Sequence, residues 1–301
     1  MVPIRRRGVR FKARDLERGR KYLWPDEFIP VLLKRLEIVP GQTVVDVGSG
    51  TGFLTRLIAK GLNGDGSAIG FDRNRRLTEV AKRLAKEDGV DGVTSFRLGD
   101  AGALPLADGV ADRVVCQTLL WTSRDPGSVL REMIRVCKPG GIVGAMEGAF
   151  DYVIWYSPDD RHLTELQQKR VVAYARGHAE LYGSDRGIGY KLPALFHRFG
   201  LRRIRMDPFP HVWLEADDRV PIKFKLQDHR DTVRLFEHPV KKEHQESTRI
   251  LKLGGMTANE IREVRRLTCQ HSKRILRDPS LLEKDFTMDG GLFLLTTGVK
   301  G

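Results

Sequence analysis

The chain has 301 residues, 41% hydrophobic and 30% charged, with a net charge of +13. That suits one large α/β domain, or a domain carrying a sizeable insertion. No apolar run approaches the roughly 18 residues of a transmembrane helix, and the basic N-terminus is not followed by the apolar stretch of a secretory signal. A transit peptide would use Arg5, Arg6, Arg7 and Arg10, but Asp15, Glu17 and the absence of serine there argue against one, so the expected location is cytoplasmic. Cys116, Cys137 and Cys269 lie far apart, and the eight histidines are scattered, which fits reduced buried thiols and no metal site. Residues 1–21 hold nine basic and two acidic side chains, more than half of the chain's excess charge. Such a basic arm either binds polyanions such as nucleic acid or is a solvated tail.

Residues 22–36 read as a helix, with Pro25, Asp26 and Glu27 early and Phe28, Leu32, Leu33 and Leu36 on one side. Pro40-Gly41 breaks the chain, and an alternating pattern follows. Strands are expected at Thr43–Val47, Ser67–Phe71, Val93–Leu98, Asp112–Gln117 and Gly141–Glu147, with helices near 52–60, 74–87 and 126–136. Short apolar strands alternating with amphipathic helices imply a parallel sheet covered on both faces. Further helices are expected at 158–182 and 190–199, then a strand over Leu201–Leu214 interrupted by Pro208 and Pro210. Residues 216–288 are rich in helix formers and charge. Within them Thr257-Ala258-Asn259-Glu260 matches a capping box, followed by Ile261, Val264, Leu267 and Ile275 on one side. Gly291–Val299 is the last apolar strand. The strands at 201–214 and 291–299 would close the sheet, with 216–288 inserted between them as a helical subdomain.

The chemistry gathers at Asp46-Val47-Gly48-Ser49-Gly50-Thr51-Gly52, between the first strand and its helix. Glycines at alternate positions remove side chains where the chain turns sharply, so a ligand can lie against the backbone. The dinucleotide pattern GxGxxG fails, because its sixth position is Phe53, and no Gly-Lys-Ser/Thr of a P-loop follows. Asp72 ends the second strand, where a carboxylate can accept both hydroxyl bonds of a ribose. Asp100, after the third strand, is placed to accept from an exocyclic amino group such as adenine's. Each acid alone could be a loop-capping aspartate; three on successive strand ends mark the edge where ligands gather in such sheets.

The run from Leu36 to Gly52 resembles the first motif of class I S-adenosylmethionine-dependent methyltransferases. The likeness continues through Gly70-Phe71-Asp72, Gly99-Asp100-Ala101, Leu104-Pro105-Leu106 and Asp112-Arg113-Val114-Val115. Val129 to Gly141 is similar to the ubiquinone/menaquinone-biosynthesis branch, whose members mostly act on small molecules. The resemblance covers roughly residues 36–147. It implies a Rossmann-like sheet of seven strands in the order 3-2-1-4-5-7-6, the seventh antiparallel, with helices on both faces and the helical insertion before the last strand. It implies S-adenosylmethionine as cofactor and S-adenosylhomocysteine as product. Asp46, Gly48, Gly50 and Gly52 would border the methionine part, Asp72 the ribose, Asp100 and Ala101 the adenine, and Gln117 the reacting centre. Ser49 and Arg73 complete the expected cofactor-binding set. The division implied is a basic arm at 1–21, a core at 22–215 and 289–301 with a lid at 150–190, and the insertion at 216–288.

Methyl transfer from a sulfonium is an in-line displacement, and a general base is needed only if the nucleophile begins protonated. Glu147, at the end of the fifth strand, could position or deprotonate an acceptor, or simply be a salt-bridged loop carboxylate. His178 and Tyr190 are further catalytic candidates. His178, with Tyr182, lies in the lid segment, and a helical surface histidine is more often just solvated. Trp24, Trp121, Trp155 and Tyr156 would wall an apolar pocket or belong to the core. No Asn/Asp-Pro-Pro-Tyr follows the fourth strand, where Cys116-Gln117-Thr118-Leu119 stands, and there is no Pro-Cys nucleophile and no cysteine cluster. Three readings stay open. One is transfer to a small-molecule acceptor. Another is transfer to RNA or protein through the arm and the insertion, which has 16 basic and 12 acidic residues. The last is a binding protein that keeps the cofactor pocket without chemistry.

Overall fold

The computed structural model describes Ala13, Leu16, Glu17 and residues 27–149, 154–238 and 240–301. Most of the expected basic arm, residues 22–26 of the first expected helix, and Trp24 lie outside the described residues. The chain forms two compact units. The first comprises residues 1–148, 187–209 and 293–301, and the second 149–186 and 210–292.

In the first unit, helix α1 (Phe28–Arg35) precedes β1 (Thr43–Val47), α2 (Phe53–Gly61), β2 (Ser67–Asp72), α3 (Arg75–Glu87) and β3 (Thr94–Leu98). Then come β4 (Ala111–Gln117), α4 (Pro126–Val136) and β5 (Cys137–Gly148). The sheet runs β3-β2-β1-β4-β5-β8, where β8 is Met288–Val299, and β7 (Arg202–Leu214) pairs with β8. Strands β1 to β5 are parallel, and β8 runs antiparallel to β5, from Ile142 opposite Val299 to Gly148 opposite Phe293. This is the expected order with a reversed closing strand. The sequence of β1, Thr-Val-Val-Asp-Val, is buried along almost its whole length, as a strand covered on both faces requires. Val45, Val47, Val114 and Val143 of the sheet and Ile58, Leu130 and Met133 of the helices are all buried in the core. Helix starts follow local chemistry. Asn74 accepts from Arg76 N at the head of α3, and Asp125 accepts from Ser128 N at the head of α4, where Pro126 occupies the first turn.

β7 is continuous through Pro208 and Pro210, where an interruption was expected. Its one sheet partner is β8. Residues two apart direct their N–H positions to the same side of a strand, so two prolines at that spacing can both fall on the unpaired side of an edge. α6 (Ile188–Arg198) completes the unit, burying Leu192 and Phe196.

The second unit holds α5 (Arg161–Tyr182), α7 (Ile222–Glu237), α8 (Lys241–Leu253) and α9 (Ala258–Arg277). A three-residue strand, β6 (Ile154–Tyr156), pairs with Met288–Gly290 of β8; neither the strand nor the early start of β8 was legible in the sequence. The capping box forms at α9: Thr257 N donates to Glu260 at 2.9 Å, and Glu260 N donates to the Thr257 hydroxyl at 3.2 Å. The core joins Leu163, Leu166 and Ala173 of α5 to Leu251, Met256, Ile261 and Val264, with Trp155 packed against it. Trp155 is thus part of this core.

Helices α5 and α8 approach through glycine. A Cβ added at Gly177 would stand 1.8 Å from the Ile250 carbonyl oxygen, and one at Gly254 would stand 1.7 Å from that of Ala173. No flexible side chain can yield there, because the obstacle is backbone. Gly177→Ala is therefore expected to destabilise the protein by about 2–3 kcal/mol. Gly183→Ala, at the left-handed end of α5 with open space around it, should cost about 1 kcal/mol. Urea unfolding of the two variants checks the contrast, and equal losses would contradict it.

Candidate cofactor site

The loop after β1 is fixed to the end of β2. Gly48 N and Ser49 N both donate to the Phe71 carbonyl, at 2.8 and 2.9 Å. The next amide, Gly50 N, donates to Asp72 Oδ2 at 2.9 Å, while Asn74 N donates to Oδ1 at 2.7 Å. One carboxylate thus holds the loop and opens the turn into α3. Asp72 is half-buried, so its oxygens keep lone pairs for a ligand. Glycine is required in this loop. Gly48 and Gly52 have φ of +74° and +76°, and a Cβ would reach within 2.7 Å of Leu119 Cδ1 at the first and 2.5 Å of the Phe96 ring at the second.

Asp46 is buried under this loop and accepts from the Thr55 hydroxyl of α2 at 2.6 Å. Asp100 lies exposed after β3, and its Oδ1 accepts from Gly102 N at 2.8 Å, with half-buried Ala101 between them. Arg73 is exposed beside Asp72. Gln117 ends β4, and its Oε1 is buried without a hydrogen-bond partner among the described residues. The expected cofactor positions, Asp46, Gly48, Ser49, Gly50, Gly52, Asp72, Arg73, Asp100, Ala101 and Gln117, all stand at the carboxyl edge of β1 to β4 in the first unit.

The three acid–base candidates are not gathered in the same way. Glu147 is 0% exposed at the end of β5, and its Oε1 accepts from Leu119 N at 2.9 Å and Leu120 N at 2.7 Å. It is not solvated and has no salt bridge among the described residues; it holds the turn after β4, whose Leu119 abuts Gly48. Burial pushes its carboxyl up to about 8, against the opposing pull of the Leu120, Leu119 and Trp121 N–H groups. Tyr190 lies on α6 in the first unit and is 44% exposed. His178 belongs to the second unit and is 3% exposed, not solvated. Its Nδ1 is 2.5 Å from the Ser184 hydroxyl, its ring leans on Tyr182, and burial followed by the nearby Arg186 charge brings it down to about 4. Trp121 is buried, whereas Tyr156 is exposed. The cysteines are buried, and burial followed by the Glu147 and Asp46 charges pushes the Cys116 thiol well up. Among the described residues no metal-binding cluster occurs, and no helix is long and apolar enough to cross a membrane.

Two contributors escaped the sequence reading. Thr51 donates its hydroxyl to Glu17, which also takes a 3.0 Å bond from Arg56. Glu17 drew attention only as an acid in a basic arm. Thr55, nine residues after Asp46, carried no signal until the helix placed it under the strand end.

The Glu147 geometry fixes a pH response. In the unfolded chain a glutamate titrates near about 4.3. A folded value near 8 means that the folded state favours the neutral acid. Its contribution is therefore full below about pH 4.3 and is lost as pH rises toward 8. Glu147→Gln keeps an acceptor for both amides and should remove that part of the pH dependence. Glu147→Ala strands two amides and should cost about 2–4 kcal/mol. Chemical denaturation between about pH 5 and 9 decides the matter, and an unchanged slope in Glu147→Gln would contradict the assignment.

Residues 38–181 match the family model described as a methyltransferase domain. A demethylmenaquinone methyltransferase of Lactobacillus johnsonii is 33% identical over 114 residues, 38% of this chain and 47% of that protein. The chain thus spans about half the length of this curated relative. Among solved structures, the YcgJ protein from Bacillus subtilis superposes with a TM-score of 0.54 at 18% identity, over 92% of this chain and 99% of that one. Haemonchus contortus phosphoethanolamine N-methyltransferase 2, solved with S-adenosyl-L-methionine, gives 0.52 at 15% identity over 96% of this chain and 57% of that one. Residues 38–181, just under half of the chain, thus match a methyltransferase domain, and the sheet they build has the fold of the solved methyltransferase structure it superposes on.

Proposed function

We propose that the protein transfers a methyl group from S-adenosylmethionine to a small-molecule acceptor. One arrangement carries the reading: a glycine loop tied to Asp72, beside the strand end that carries Gln117, whose Oε1 has no partner among the described residues. A buried acceptor without a donor costs free energy until something supplies one. The α-ammonium of an amino acid would do so, and the donor set suits a ligand that joins an amino acid to a nucleoside. Asp46 and Gly48 to Gly52 would border the methionine part, Asp72 and Arg73 the ribose, and Asp100 with Ala101 the adenine.

When bound, the sulfonium supplies an electrophilic methyl and leaves as a neutral thioether. The chain's part is to hold its partners in line and keep the site dry. Glu147 acts in this reading by fixing the Leu119–Leu120 turn against Gly48, not by taking a proton, because at neutral pH its carboxyl is already protonated. The ring of His178 is committed to Ser184 and is neutral at neutral pH.

The relative named for demethylmenaquinone supports a small acceptor of quinol type. A nucleic-acid or protein acceptor is the competing class, and a cofactor-binding protein without chemistry is the third. Calorimetry should show S-adenosylmethionine binding to the full chain, weakened at least about ten-fold by Asp72→Asn through loss of a charged acceptor. Absence of binding to the wild type would overturn the reading. S-adenosylhomocysteine release should then appear with quinols and phenols. Release only with RNA or protein would replace the small-molecule assignment, and none with any acceptor would favour the binding protein.

A further inference from the structure

The N-terminal arm reaches the cofactor loop through a single described carboxylate. Glu17 accepts the Thr51 hydroxyl proton on Oε1 and a 3.0 Å bond from Arg56 on Oε2. Arg56 in turn donates to the Thr51 carbonyl at 2.7 Å and to Asp88 at 2.9 Å. Thr51 is thus gripped at both its hydroxyl and its carbonyl by two residues that also bind each other. This closed set sits in the middle of the glycine loop, between Gly50, whose amide is on Asp72, and Gly52 with its left-handed backbone.

The burial makes the pairing consequential. The Arg56 side chain is 7% exposed and that of Glu17 is 28% exposed. A guanidinium so nearly removed from water needs carboxylates, and Glu17 is one of its two among the described residues. Without Glu17 the Thr51 hydroxyl loses this acceptor, and Arg56 keeps the Thr51 carbonyl and, as its one carboxylate among the described residues, Asp88. The loop would then sample more conformations before a ligand could meet it, and ordering them again opposes binding.

We propose that Glu17 is a positioning residue for the cofactor: it sets the Thr51 segment of the loop from the N-terminal arm, so the arm contributes to cofactor affinity. This rests on the cofactor reading above.

The test uses the full-length chain and S-adenosylhomocysteine as the probe. Glu17→Ala should weaken binding roughly ten-fold, and Glu17→Gln, which can still accept from Thr51 but lacks the charge for Arg56, roughly three-fold. Thr51→Val removes the hydroxyl alone. Added to Glu17→Ala, it should weaken binding by less than the sum of the two separate losses, because they break one shared contact. In the ligand-free protein, Glu17→Ala should speed hydrogen exchange of the Gly50 to Gly52 amides beyond any change at the core amides of β1. Wild-type affinity in Glu17→Ala, strict additivity with Thr51→Val, or unchanged exchange would each overturn the proposal while leaving the cofactor reading standing. Failure of the wild type to bind the probe would instead overturn that reading. The exchange measurement would still judge the clamp.

Discussion

The carboxylate of Asp72 is the joint on which the site depends. Its two oxygens take the amides of Gly50 and Asn74, so one side chain ties the loop after β1 to the start of α3. The tie is possible because β1 and β2 are parallel and in register, Val47 opposite Phe71, which delivers the glycine loop to the end of the neighbouring strand. Phe71 completes the link by accepting from Gly48 and Ser49. Three consecutive amides of the loop are thereby spent on β2. These three amides are therefore not free to cradle an anion such as a phosphate. What the loop offers a ligand is shape and closeness of backbone, together with carboxylates at the strand ends.

The sequence made the strands and helices of the first unit legible because both rest on short-range rules. Thr43–Val47 is apolar enough to be buried on two faces, and Asn74 and Asp125 are capping residues placed just before amphipathic runs. The positions expected to hold the cofactor share one edge for the same reason, since the strand ends of a parallel sheet meet there. Glu147 was different. Its place at a strand end was readable, but its role required knowing that the Leu119 and Leu120 amides return to it from the neighbouring strand's loop. His178 was obscured for a similar reason. On a polar helix a histidine looks solvated, and only the packing of Tyr182 and Ser184 around it reveals an interior position. β6 fell below any periodic signal, because three residues cannot display a period of two convincingly.

In the second unit the controlling feature is a different kind of closeness. Gly177 and Gly254 let α5 and α8 meet at backbone distance, with Ala173 and Ile250 one turn away on the same faces. Such contact gains dispersion over a long stretch without large side chains, which suits helices whose outer faces are heavily charged. The sequence showed the charge and the capping box at Thr257, but glycines within a helical pattern read from sequence only as a cost in propensity. Their value appears once a partner backbone is known to occupy the missing Cβ.

The glycine loop is restrained from three directions: from β2 by Asp72, from the end of β5 by Glu147 through Leu119 against Gly48, and from the N-terminal arm by Glu17 through Thr51. Each restraint spends a carboxyl group on main-chain or hydroxyl donors rather than leaving it as a solvated charge. A loop of alternate glycines has the largest conformational entropy to lose, and a ligand that had to order it would bind with that much less affinity. On the proposed function, the folded chain meets that cost before the cofactor arrives. Two of the buried oxygens that have no hydrogen-bond partner among the described residues, Gln117 Oε1 and Glu147 Oε2, stand at the ends of β4 and β5 and show where the economy stops. Glu147 can relieve its own penalty by holding a proton. Gln117 cannot, and its oxygen keeps its full desolvation cost until a donor reaches it, which makes it the position where a ligand's N–H group gains the most.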